Sequence, residues 1–170
     1  MIAPYDPGWP RAFEDERGRL AAALGTVANR IEHNGSTAVP GLAAKPIIDI
    51  QISVARLSSF DAYAQPLAAL GYTHVPHADD DRCPFFHRPA AWPHTHHVHV
   101  VETGGEEERR TLAFRDYLRH HDDLAREYEA LKRALAARVG FDAAPAREAY
   151  AMAKTAFVER VLARAFAEGY

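Results

Sequence analysis

Residues 31–54, with the sequence IEHNGSTAVPGLAAKPIIDIQISV, constrain the fold of this chain more than any other stretch. Two short strands are predicted here, joined by a Gly-Ser-Thr turn and a tight Pro-Gly loop. The second strand, about residues 46–54, alternates apolar with polar side chains. Its apolar positions are Ile48, Ile50 and Ile52, and its polar positions are Asp49, Gln51 and Ser53. Because successive side chains of a strand point to opposite faces, one face packs against a core and the other presents a carboxylate, an amide and a hydroxyl.

The polar face and the turn before it contain the first candidates for chemistry. Asp49 follows the turn by about a dozen residues and could hold a metal ion beside a phosphate. Gly35 permits close approach of the backbone to a phosphate, and Ser36 and Thr37 add hydroxyl groups. Lys45, just before the strand, could reach a phosphate as a point charge. The alternatives are a structural turn and a solvated loop lysine.

Two arginines in the segment FRDYLR, at 114–119, are a second group of phosphate-binding candidates. Arg115 and Arg119 are one helical turn apart and share a face of the helix predicted there. Two guanidinium groups in that position could clamp a phosphate in bidentate fashion. The same pair could instead form ion pairs that fix the helix to the sheet.

Hydrophobic periodicity predicts five helices and five strands. The helices are expected at residues 10–24, 57–70, 106–120, 122–138 and 146–168, and the strands at residues 27–33, 46–54, 72–75, 85–88 and 96–102. Asp122 and Asp142 are predicted to cap the last two helices, with Pro145 as the alternative entry to the final one. This order of elements favours a small mixed sheet with helices packed on it, an α+β or mixed α/β fold.

Composition and charge limit the class of protein. The 170 residues suffice for one domain, expected to span 1–170, with the sheet at about 27–102 and C-terminal helices at about 106–168. The formal charge of −3 disfavours general nucleic-acid binding but is compatible with a small phosphorylated ligand held by local basic residues. Cys83 is the only cysteine, which excludes an intrachain disulfide and suits a cytoplasmic protein. No apolar run approaches the roughly 20 residues of a membrane span.

The string EHNGSTAVPGLAAKPIIDI resembles the hallmark of the GrpB family, a branch of the polymerase-beta-like nucleotidyltransferases. The similarity continues in HHVHVV at 96–101, FRDYLR at 114–119 and AKTAF at 153–157, and it covers roughly residues 4–165. This resemblance implies a nucleotidyltransferase-like fold with an N-terminal helix and C-terminal helices. It also implies a nucleoside triphosphate as ligand, a small acceptor, and a divalent metal such as Mg²⁺, Mn²⁺ or Zn²⁺ bound through Asp49.

The segment THHVHVV, at 95–101, contains further candidates. In the strand predicted here, His97 and His99 share one face. The resemblance implies that a strand beside the one bearing Asp49 supplies a metal ligand, so the two imidazoles are expected next to Asp49. A carboxylate with two imidazoles suits zinc or manganese, and one imidazole could instead act as a general base. The alternative is a pair of surface or structurally bonded histidines.

Gln51 departs from the superfamily pattern, which has a second acid two residues after the first. Glu32 is a candidate for the missing carboxylate, or else it forms a salt bridge. The departure keeps three functions open: a metal-dependent nucleotidyltransferase, a non-catalytic nucleotide-binding or regulatory module, and a histidine-based phosphohydrolase. The last rests on the near match of THHVHVV to His-x-His-x-His, in which Thr95 takes the first position.

Overall fold

The computed structural model describes residues 2–139 and 144–170, which form five strands and six α-helices. The strands are β1 (Ala28–Asn34), β2 (Ile48–Val54), β3 (Thr73–Val75), β4 (Phe85–Arg88) and β5 (His96–Glu102). The helices are α1 (Trp9–Leu24), α2 (Phe60–Ala69), α3 (Glu106–His120), α4 (Asp122–Val139), α5 (Ala144–Met152) and α6 (Thr155–Ala167). None of these helices is both long enough and apolar enough to cross a membrane.

The five strands form one mixed sheet in the order β1-β2-β5-β4-β3. Strands β2 and β5 are parallel, and the other neighbouring pairs are antiparallel. A parallel pair needs a long connection, and here that connection contains α2 and the β3–β4 hairpin. The predicted α+β class with a small mixed sheet is therefore confirmed, and the predicted strands agree with the observed ones to within two residues.

The alternation of β2 separates the two faces of the sheet. Ile50 and Ile52 are fully buried on one face, where they pack in a cluster with Leu20 of α1 and Leu67 of α2. The other face carries Asp49, and α3 crosses it. Helix α3 joins α4 and α6 in a second apolar cluster. The polar face of β2 consequently lies between the sheet and the C-terminal helices.

The prediction of one continuous helix over 146–168 is wrong. The segment forms α5 and α6, which are interrupted at residues 153–154. The two helices bury different surfaces: Tyr150 of α5 is buried beneath two lysines described below, whereas Phe157 of α6 packs in the cluster with α3 and α4. Neither glycine nor proline lies at the interruption, so local sequence does not reveal it. Asp142, predicted to cap the last helix, lies outside the described residues.

Candidate functional site

The register of the strands brings predicted polar residues together. Asp49 of β2 is paired with Asn34 of β1 on one side and with His97 of β5 on the other. Gln51, two residues further along β2, is paired with His99. Paired residues on adjacent strands point to the same face of a sheet. The expected placement of His97 and His99 beside the strand that bears Asp49 is therefore observed.

The Gly-Ser turn is pressed against Asp49. Gly35 follows β1 directly and has φ 66° and ψ −167°, a backbone region that is essentially restricted to glycine. A Cβ atom at this position would lie 2.5 Å from Oδ2 of Asp49. Glycine is thus required both by the backbone conformation and by the close approach. Ser36 begins a short 3₁₀ helix at 36–38.

Thr37 is bonded within the protein. It is buried, and its hydroxyl oxygen lies 2.9 Å from Nε2 of His33. The His33 ring in turn stacks on Phe13 of α1 with ring centroids 4.7 Å apart. These contacts anchor the turn to α1 and give Thr37 a structural position, so it has no part in the ligand site proposed below.

Both arginines of the predicted phosphate clamp also have partners within the protein. Arg115, whose side chain is 8% exposed, donates from Nη1 to Glu32 at 2.8 Å and to the backbone carbonyl of His33 in β1, also at 2.8 Å. Its Nε and Nη2 atoms donate to Asp116 at 2.8 and 3.1 Å. Arg119 donates from Nε to the carbonyl of Ala38 at 2.9 Å. The pair fixes α3 to β1 and to the turn, as the ion-pair alternative expects.

Asp49 and His97 form a close polar contact. Nδ1 of His97 lies 3.4 Å from Oδ1 of Asp49, and the two side chains are 21% and 29% exposed. Burial raises the pKa of Asp49, but the hydrogen bond from His97 and the charges of His97, His99 and Lys154 outweigh it, so the pKa is lowered. Asp49 is consequently ionised at neutral pH. Nε2 of His97 lies 3.0 Å from Nδ1 of His94, so both of its ring nitrogens have neighbours.

The donor set around Asp49 does not fit the divalent-metal site that the family resemblance implies. Gln51 is 0% exposed, and its amide oxygen accepts hydrogen bonds from Asn34, at 3.2 Å, and from Thr111 of α3. Glu32 is paired with Arg115. Among residues 2–139 and 144–170, no group of three His, Cys, Asp or Glu side chains is arranged to hold a metal ion. The chemistry proposed for this site therefore uses the chain's own residues alone.

A cleft of about 1110 Å³ opens beside Asp49, and Ser36 and His97 are among the residues that line it. The residues that line it also include Lys45, Lys132 and Lys154. A smaller cavity of about 120 Å³ shares part of this wall and is lined by Gly35, Ser36, Asp49 and Lys154, among others. The cleft thus combines the turn, the carboxylate and several ammonium groups.

The C-terminal part of the chain contributes Lys132 and Lys154 to this cleft, two lysines that the sequence offers as single-charge candidates beside Lys45. The ammonium groups of Lys45 and Lys154 lie 4.4 and 4.6 Å from the centroid of the Tyr150 ring. Lys132 of α4 is buried, lies 4.9 Å from the ring centroid of Tyr128 and donates to a backbone carbonyl. One feature of the sequence could have singled them out, since the chain has three lysines among 20 basic residues.

Buried His33 and partly buried His99 should make the fold sensitive to acid. Burial lowers the pKa of His33 and of His99 to about 4, from an ordinary value of 6.5. The unfolded chain therefore binds protons that the folded chain does not, and stability falls as the pH drops from about 6.5 to about 4. Each histidine should remove about 3 kcal/mol from the free energy of unfolding across that window. Urea denaturation at a series of pH values measures this loss. The loss should be smaller in His99→Gln, and equal stability at pH about 7 and about 5 would contradict the expectation.

The arrangement of sheet and helices is the fold of the nucleotidyltransferases. A crystal structure of the Cid1 poly(U) polymerase with MgGTP bound superposes with a TM-score of 0.52 at 17% identity, covering 84% of this chain and 46% of that chain. Within that fold, a family model described as GrpB protein matches residues 1–164, and the chain belongs to the GrpB family. The crystal structure of GrpB from Enterococcus faecalis superposes with a TM-score of 0.85 at 31% identity, covering 99% of this chain and 98% of that one. A UPF0157 protein of Pseudomonas aeruginosa is 41% identical over 169 residues, which are 98% of this chain and 67% of that protein.

Proposed function

We propose that this chain binds a nucleoside triphosphate in the cleft beside Asp49, with the phosphates against the turn at Gly35 and Ser36. The observation that carries the proposal is the direct approach of the turn to the carboxylate. A Cβ atom on Gly35 would lie 2.5 Å from Asp49, so the turn and Asp49 form one continuous wall. Backbone N–H groups of such a turn suit phosphate oxygens, and glycine permits their close approach.

The fold and the size of the cleft support this proposal. The Cid1 polymerase has the same fold and was crystallised with MgGTP. Clefts that bind one small molecule commonly measure roughly 300–1,000 Å³. The volume of about 1110 Å³ found here leaves room for a second small molecule beside a nucleotide.

Nucleotidyl transfer to a small acceptor is the second candidate function, and the contact between Asp49 and His97 favours it. In this reaction a hydroxyl or amine of the acceptor attacks the α-phosphorus of the nucleotide. The bond to the bridging oxygen breaks and pyrophosphate leaves. Asp49 accepts the proton of the acceptor, and His97, 3.4 Å away, stabilises the carboxylate beforehand.

The histidine-based phosphohydrolase is less well supported, because both ring nitrogens of His97 have neighbours and Nδ1 of His99 lies 3.8 Å from Sγ of Cys83.

Thermal unfolding in the presence of nucleoside triphosphates tests the proposal. A ligand at about a hundred times its Kd should add about 2.7 kcal/mol of stability, which raises Tm visibly. We expect this gain in the wild type and in Asp49→Asn, since asparagine preserves the shape beside Gly35. With a panel of small alcohols and amines as acceptors, the wild type alone should release pyrophosphate.

The two readouts separate the two candidate functions. No gain in Tm with any nucleoside triphosphate would contradict nucleotide binding. Binding without pyrophosphate release from either protein would reject nucleotidyl transfer and favour the non-catalytic module. Equal release from wild type and Asp49→Asn would show that Asp49 does not accept the proton.

A further inference from the structure

The fold gathers every lysine of the chain into one place. Lys45, Lys132 and Lys154 are the three lysines among 20 basic residues, and all three line the cleft beside Asp49. They come from three remote segments: the loop before β2, helix α4, and the interruption between α5 and α6. The remaining basic residues are arginines, so the chain uses lysine at this cleft and nowhere else.

Gathering these ammonium groups costs electrostatic free energy. Like charges in a partly buried site repel each other, and burial disfavours the charged form of each lysine. Burial, and then the charge of Lys154, lowers the pKa of Lys132 to about 7. Burial also lowers the pKa of Lys154, although the charge of Asp49 opposes this shift. A ligand with several negative charges, bound among the lysines, would relieve both costs.

Counted over its whole lining, the cleft has balanced formal charges, because four carboxylates accompany the three lysines and Arg82. The acidic residues that line the cleft are Asp49, Asp79, Glu107 and Glu148. The carboxylates whose charges raise the pKa of Lys132 are Glu129 and Asp49. Glu129 also accepts a hydrogen bond from Arg133, at 2.9 Å, and Asp49 is in contact with His97. The part of the cleft lined by Lys45, Lys132 and Lys154 therefore suits a ligand with several negative charges.

We infer that Lys45 and Lys154 bind the phosphate chain of the nucleotide directly, without a divalent metal ion, and that Lys132, buried and bonded to the carbonyl of Ala43, adds its charge from behind them. The inference rests on the nucleotide binding proposed above and specifies how the phosphate charge is neutralised. In metal-dependent phosphoryl chemistry, bound cations perform that task. Here a single acid of the family pattern, Asp49, faces the cleft, because Gln51 takes the second position and is buried beneath α3. The lysine cluster supplies positive charge where the donor set does not fit a metal ion.

Calorimetric titration with ATP and with inorganic tripolyphosphate tests this inference, in excess EDTA and in excess magnesium. The wild type should bind each compound at least as tightly in EDTA as in magnesium, because magnesium neutralises part of the phosphate charge that the lysines would bind. Lys45→Met and Lys154→Met keep the apolar stem and remove the charge, so each should weaken binding about tenfold. Arg133→Met is the matched control, since it removes one positive charge from a half-exposed side chain outside the cleft. It should leave the Kd unchanged.

The outcomes distinguish this inference from the proposed function. Binding in magnesium that disappears in EDTA would overturn the inference and leave nucleotide binding intact. No binding in either condition would overturn both. Equal affinity in the lysine variants and the Arg133→Met control would overturn the inference by placing the phosphates elsewhere. The comparison of EDTA with magnesium uses the wild type, so it decides the question even if a lysine variant does not fold.

Discussion

Replacing Gly35 with alanine should lower the free energy of unfolding by about 3 kcal/mol and abolish nucleotide binding. At φ 66° and ψ −167° an alanine backbone is strained, and its Cβ would lie 2.5 Å from Oδ2 of Asp49. Asp49 is held in register between β1 and β5, so its side chain, and not its backbone, must move away. That movement would break the contact with His97 and distort the wall of the cleft. Urea denaturation and calorimetric titration with ATP measure the two effects.

Gly41→Ala is the matched control for this prediction. Gly41 also has a positive φ, 78°, but a Cβ atom there would have no atom within 4 Å. Its replacement should cost about 1 kcal/mol through backbone strain alone and leave nucleotide affinity unchanged. If the two variants lose the same stability and both bind ATP normally, then the close approach of the turn to Asp49 contributes neither to stability nor to nucleotide binding.

Replacing Arg115 with methionine should cost about 1–3 kcal/mol of stability, because it removes a buried guanidinium group and leaves the buried carbonyl of His33 without its donor. The guanidinium group is 8% exposed and donates to Glu32, to Asp116 and to a backbone carbonyl at the end of β1. Two of these hydrogen bonds, to Glu32 and to the carbonyl of His33, connect α3 to β1. Urea denaturation at neutral pH measures the loss.

Arg133→Met provides the comparison for Arg115→Met as well. The Arg133 side chain is 48% exposed and pairs with Glu129 one helical turn away, so its loss should cost about 0.5 kcal/mol or less. Folded Arg115→Met should bind ATP with the affinity of the wild type. Normal stability together with lost binding would instead establish Arg115 as the phosphate clamp that the sequence suggested.

The parts of the site that lie on strands could be predicted from the sequence. The alternation in β2 places Asp49 on the polar face, and the alternation in β5 gives His97 and His99 a common face. Because side chains alternate between the two faces of a strand, a short motif is enough to predict which face each residue of the strand occupies. The family resemblance then indicated which strands are neighbours.

The parts that depend on distant contacts could not be predicted in this way. Whether Arg115 clamps a phosphate or pairs with Glu32 depends on where α3 crosses β1, which no local pattern encodes. The interruption between α5 and α6 lacks glycine and proline, and it brings Lys154 beside Asp49 through tertiary packing. The lysine cluster combines segments about 90 and 20 residues apart, beyond the range of helix or strand periodicity.

The distribution of lysines also determines where amine-reactive reagents modify the side chains of this protein. Acylating dyes, acetylation and amine coupling to a sensor surface have three side-chain targets here, Lys45, Lys132 and Lys154, and each lines the cleft. Thiol labelling would modify the same cleft, because the single cysteine, Cys83, also lines it. The two commonest routes of covalent attachment to side chains therefore lead into the cleft proposed as the ligand site. A fluorophore or surface tether for binding studies has to be carried by a fused tag or by a cysteine introduced elsewhere, in a Cys83→Ser background.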